Sequence, residues 1–233
     1  LKLSGDVITD IYSGKITRWN DARIQDLNQG TSLPDADIIP VFRSDGSGTT
    51  FVFTDYLSKV SENWKNTYGT GKSVNFPKGQ AAKGNPGVAG VISQTANSIG
   101  YVGSEYAFAQ RIPYATLMNV NGELVKPTSE SISASASGEI PADTRTSITN
   151  SSAKGAYPIS CFTWILIYKE QAYAKRSAEQ AQVTLDLLHY ILSKDAQQIT
   201  SEVHYAPLPQ KAVELSLQNL KQVTFDGKPL NHE

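Results

Sequence analysis

The sequence predicts an α/β protein, on three observations. Helical and strand-like segments alternate along its 233 residues. A short apolar run, Ile38 to Phe42, passes through a glycine-punctuated turn into an amphipathic helix in which Val52, Phe53, Tyr56, Leu57 and Val60 recur at helical spacing. A composition of 39% hydrophobic and 18% charged residues is that of a folded globular chain with a real core.

Taken in order, Asp6 to Tyr12 reads as a helix stopped by Ser13-Gly14, and Asp21 to Leu27 as a helix capped by Asn20. The strand and helix just described follow, then a polar, turn-rich stretch from Ser61 to Gly71. A second glycine-rich turn, Lys83 to Gly90, leads into a helix at Pro86 to Gln94 and a strand at Ser98 to Val102. Glu105 to Gln110 is helical. Tyr114 to Val120 is strand-like and meets Asn121-Gly122, a hairpin signal. The Ser/Ala/Thr-rich region from Thr128 to Ser152 carries a helix and a loop. After Tyr157-Pro158 come a β-rich run, Ile159 to Tyr168, and helices at Ala174–Ser193, Asp195–Val203 and Lys211–Leu220. A boundary near Tyr157 divides the chain into 1–157 and 158–233.

The segment from Arg43 to Thr49 is the first candidate site. A strand, a turn and a helix in that order aim unpaired N–H groups and the positive end of the helix dipole at one point. Ser47 and Thr49 add hydroxyls, Gly48 keeps the backbone open, and Arg43 offers a planar, permanently charged fork. An oxyanion suits that arrangement. Ordinary N-capping by Ser or Thr explains part of it and stays open as the structural alternative. Asp45, two residues from Arg43, is expected to pair with it, which makes it a poor base near neutral pH.

Other chemistries find less support. The formal charge of −1 excludes a sequence-wide basic field of the kind that binds nucleic acid. Gly69-Thr70-Gly71-Lys72-Ser73 resembles the end of a P-loop, but Asn66 stands where glycine is required and Phe76-Pro77 follows in place of a helix. His189, His204 and His232 lack metal-ligand spacing with each other or with Cys161, so no metal is expected. Ser47 lacks the nucleophile-elbow pattern, and no catalytic residue is assigned. Cys161, the lone cysteine, reads as an inert thiol buried in a strand. No apolar run reaches membrane-spanning length. Leu1 opens the chain without a signal segment, so a signal was removed or the start is internal.

Arg43-Ser44-Asp45-Gly46-Ser47-Gly48-Thr49-Thr50-Phe51, followed by Phe53-Thr54-Asp55-Tyr56-Leu57, resembles the signature of the periplasmic phosphate-binding proteins of high-affinity phosphate ABC transporters. Asp10 to Asp21, Lys83 to Ala89, Ile99 to Val102, Tyr205 to Pro209 and Asp226 to Leu230 are similar to further family segments and occur in family order. The resemblance implies a two-lobed periplasmic-binding-protein fold, with mixed sheets flanked by helices and phosphate in the cleft between the lobes. Residues 1–157 then form most of the phosphate-binding lobe and 158–233 part of the other. Arg43, Ser47, Gly48 and Thr49 hold inorganic phosphate, with Asp45 holding the guanidinium. Charge-assisted bonds of roughly 1.5–3 kcal/mol each give several converging donors micromolar reach. The implied role is delivery to a membrane permease, without catalysis or cofactor, in the periplasm or, lipid-anchored, on a Gram-positive cell surface.

The family's opening Thr-Gly-Ala-Gly-Ala-Thr-Phe segment, its Ser-Gly-Gly turn and its proton-accepting Asp have no counterpart here. The expectation is therefore one incomplete lobe, with the absent N-terminal segment supplied by a longer native chain or a second chain. Ile159 to Tyr168 is then a strand without sheet neighbours. A phosphatase-like enzyme using the same cradle, or a receptor for sulfate or molybdate, remains as the alternative.

Overall fold

The structure, a computed structural model, describes residues 1–230. Its first sheet joins β1 (Lys2–Leu3), β5 (Thr116–Met118) and β6 (Leu124–Val125), with β1 parallel and β6 antiparallel to β5. The Asn121-Gly122 hairpin is thus present. Its second sheet is all parallel, with β2 (Ile39–Arg43) between β3 (Gln80–Ala82) and β4 (Ser98–Gly100).

Helix α1 (Gly5–Tyr12) and α2 (Ala22–Leu27) precede the second sheet, and α3 (Gly48–Val60) and α4 (Glu62–Thr67) link β2 to β3. Helix α5 (Gly84–Gln94) then carries the chain back past β2 to β4. The pleat of β2 puts alternate side chains on opposite faces. Ile38 and Phe42 pack in the large core with Phe53, Tyr56 and Leu57 of α3 and with α1. Val41 packs on the other face with Ala82 and Val88 of α5. The sheet therefore separates α3 from α5, while both helices start at the carboxyl ends of their strands. This is a topological switch point, where open α/β sheets form their crevices.

Pro40 occupies a central strand, where a missing N–H ordinarily breaks a ladder. Its carbonyl faces Gly79, at φ +127°, just before β3 begins pairing at Val41. A Cβ on Gly79 would lie 2.2 Å from the Pro40 oxygen, so glycine is the residue that lets the strands close.

Helix α6 (Ser104–Ala109) and α7 (Ser129–Ser135) complete the N-terminal part, α7 starting at a Thr128 capping box. Beyond lie α8 (Ala178–Ile191), α9 (Lys194–Ile199), α10 (Gln210–Leu220) and a hairpin of β7 (Thr224–Phe225) and β8 (Lys228–Pro229). Leu185, Leu188, Leu220 and Val223 form a small core here. A second cluster joins Ile140 to Phe162, Leu208, Ala212 and Leu215, so side chains from both sides of Tyr157 share it.

Several elements differ from expectation. The cap of α2 is Asp21, whose carboxylate accepts the Arg23 N–H at 3.0 Å; Asn20 donates instead to Asp35 at 2.7 Å. The polar stretch from Ser61 to Gly71 holds α4, capped by Ser61 and anchored by fully buried Trp64. Helix α8 starts at Ala178, because Ala174 and Lys175 have φ of 50° and 61° and Ser177 supplies the capping box. Helix α9 ends at Ile199, short of Val203. Ile159 to Tyr168 is not a strand. Its apolar, β-branched residues satisfy the propensity, but no strand among the described residues pairs with them. Leu166 is 91% exposed. Cys161 is accordingly an exposed thiol outside any strand.

Candidate anion-binding site

Arg43 ends β2, and its guanidinium is held by three hydrogen bonds. Nε donates to Asp45 Oδ1 at 2.8 Å and Nη2 to Asp45 Oδ2 at 2.6 Å, a bidentate pair that fixes the plane of the fork. Nη1 donates to Asn85 Oδ1 at 2.9 Å. The Arg43 side chain is 11% exposed. The Arg43 hydrogen bonds hold the Asp45 carboxyl well below the usual carboxylate range, helped by the Gly84 N–H at 3.0 Å. Asp45 is thus charged at any working pH, and its expected pairing with Arg43 is present.

Helix α3 starts directly beyond. Ser47 is its N-cap, accepting from Thr50 N at 3.1 Å, and is buried. Its own N–H donates to Lys72 O at 2.9 Å. That bond differs from the expected backbone donation toward an anion and leaves the Ser47 O–H as its donor. Gly48 and Thr49 form the first turn, whose N–H groups have no intrahelical acceptor. Thr49 Oγ1 donates to Asn85 Oδ1 at 3.2 Å. The capping alternative and the donor cradle thus coexist: one hydroxyl caps while Gly48, Thr49 and Arg43 stay at the surface.

Beneath the cradle, Tyr101 accepts the Arg43 N–H at 3.3 Å and bonds Thr50 Oγ1 at 2.8 Å. Its ring stacks on Phe53 at 4.3 Å between centroids. Burial pushes the Tyr101 hydroxyl up, opposed by these hydrogen bonds. Lys72 and Gly71, in the segment resembling a P-loop, bond Ser47 at the α3 N-cap and Thr54 in the middle of that helix, and form no phosphate loop.

Reasoning from sequence missed Asn85 and Tyr101 as neighbours of the site. Each lies in a short motif of its own, 42 and 58 residues from Arg43, and only parallel pairing of β3 and β4 to β2 brings them together. Among the described residues no group of His, Cys, Asp and Glu could hold a metal ion. His232 lies outside the described residues.

The sequence matches the PBP superfamily domain over residues 1–195. It is 42% identical over 237 aligned positions to the phosphate-binding protein PstS of Pasteurella multocida, covering 99% of this chain and 67% of that protein. It is 43% identical to PstS of Xylella fastidiosa, covering 91% and 58%. The chain therefore belongs to the PBP superfamily and, within it, to the family of PstS phosphate-binding proteins. A crystal structure of the ancestral soluble variant of the human phosphate binding protein shares the fold, with a TM-score of 0.68, 20% identity and coverage of 98% of this chain and 71% of that one. The chain spans about three fifths to two thirds of the length of the relatives just described.

Proposed function

We propose that this chain binds inorganic phosphate and serves as the receptor from which a membrane permease of a phosphate ABC transporter receives it. The observation that carries the reading is the Arg43 guanidinium, oriented by Asp45 beside the free N–H groups of Gly48 and Thr49. Arg43, the Ser47 hydroxyl, Gly48 and Thr49 are its donors. The relatives are named phosphate-binding proteins, which supports binding without chemistry. The periplasmic or cell-surface location follows the same family reading. No described helix is long and apolar enough to cross a membrane.

Phosphate calorimetry beside a phosphomonoester hydrolysis assay tests the proposal. Saturable phosphate heat, lost in Arg43→Ala, with no turnover, is the expected result. Turnover abolished by Ser47→Ala at unchanged binding would favour the enzyme. Stronger heat with sulfate or molybdate would point to another oxyanion.

A further inference from the structure

We propose that Asn85 is a further positioning residue of this anion site, its amide oxygen holding Arg43 and Thr49 in the free protein as an oxyanion oxygen would. The inference rests on the phosphate reading above.

Arg43 Nη1 and Thr49 Oγ1 both point at Asn85 Oδ1, at 2.9 and 3.2 Å. An arginine nitrogen can only donate, so the atom facing it must be the amide oxygen, and the NH2 is directed elsewhere. That NH2 has no hydrogen-bond partner within the chain among the described residues. Asp45 takes Nε and one proton of Nη2, and Asn85 takes one proton of Nη1. One N–H on each terminal nitrogen is left, a pair suited to two oxygens of a tetrahedral anion.

Asn85 is the second residue of α5, and Gly84, the first, donates its N–H to Asp45. The start of α5 is thereby bonded to both members of the ion pair, and its positive dipole end faces the same point as that of α3. An arriving anion takes the Thr49 hydroxyl from Asn85 and the remaining N–H of Nη1 and of Nη2, while Asn85 Oδ1 keeps the Nη1 proton that it already accepts. The Asn85 NH2, without a partner within the chain among the described residues, is then a further donor.

Calorimetric titration of wild type, Asn85→Ala and Asn85→Asp with inorganic phosphate and with sulfate, across pH and beside thermal melts, tests this. Asn85→Ala is expected to weaken phosphate binding about tenfold, the loss of roughly one charge-assisted bond. Asn85→Asp keeps an acceptor for Arg43 but adds a negative charge beside the anion. Its phosphate binding is expected to recover as pH falls and the monoanion, which can share its proton with the carboxylate, becomes the main form. Sulfate, with no proton to share, stays excluded throughout.

Affinities in both variants equal to wild type would overturn the role of Asn85 and leave the site standing. A pH profile of Asn85→Asp parallel to wild type would also overturn it, since an altered side chain remote from the anion leaves the profile unchanged. No phosphate heat in wild type, at concentrations where Arg43→Ala is equally silent, would overturn the site reading and this inference with it.

Discussion

Arg43 suits the proposed role because almost every freedom of its side chain is removed in the protein without a ligand. A bidentate carboxylate fixes the guanidinium plane, and burial of the stem fixes its position. The ordering entropy that a free arginine loses on binding, about 2 kcal/mol, is thus already spent. Arg43→Lys retains the charge but cannot keep both Asp45 bonds, so it should lose at least about tenfold in phosphate affinity. Asp45→Asn should weaken binding too, although it removes a negative charge beside an anion; titration calorimetry of the two variants checks both signs. Affinity that rises in Asp45→Asn would mean that repulsion outweighs orientation. Glu170 is a second residue whose charge is used locally. It accepts from the Ala172, Asp226 and Gly227 N–H groups and from Thr224 Oγ1, which lowers its pKa to about 2. A folded-state value below the unfolded one means that its contribution is complete above the ordinary carboxylate range and fades as pH falls toward about 2. Acid titration of the β7–β8 hairpin by NMR should show it loosening across that window, and Glu170→Gln should flatten the dependence.

At the scale of elements, α3 both builds the core and aims the site. Its inner face, Phe53, Tyr56 and Leu57, is buried against α1 and β2, which sets where its N-terminus points. Ser47 caps that terminus from within. Ser47→Ala should cost about 1 kcal/mol of stability through the lost cap. Ser47→Asp restores a capping oxygen but places a carboxylate at the cradle, so it should keep stability and lose anion binding; melts and calorimetry on one sample separate the two roles. The β2–β3 junction is the other sensitive element. A methyl on Gly79 meets the Pro40 carbonyl at 2.2 Å and carries an unfavourable φ of +127°. Gly79→Ala should therefore destabilise by about 3 kcal/mol, measured by chemical denaturation.

For the whole molecule, the decisive contrast lies between a well-packed first part and an uncovered run at the start of the second. Trp64, Tyr12 and Tyr56 are fully buried among the first 120 residues, whereas Trp164, Ile165, Leu166 and Tyr168 are exposed. Among the described residues, no backbone N–H from 161 to 168 donates to another backbone group. Hydrogen exchange should accordingly be fast from 161 to 168 and slow along β2. An exposed apolar run with open backbone groups is also a template for association. Leu166→Lys should raise the concentration at which light scattering first detects aggregates, with phosphate binding unchanged; an unaltered threshold would show that this run is not the contact.

The candidate cradle could be read from the chain itself because Arg43, Asp45, Ser47, Gly48 and Thr49 lie within seven consecutive residues and their geometry is local: strand end, turn, helix start. The same locality made the helix starts after Ser4 and Ser47 readable to within a residue or two. Asn85 and Tyr101 were not readable as site residues, because their proximity to Arg43 depends on which strands flank β2. The run from Ile159 to Tyr168 shows the converse: its propensity is that of a strand, but pairing is a property of neighbours. Chain chemistry alone singled out the groups proposed to bind an anion. Tertiary structure decided which of them are held, which are already engaged, and which distant residue Arg43 and Thr49 share, because hydrogen-bond partners across a sheet are set by register and not by sequence order.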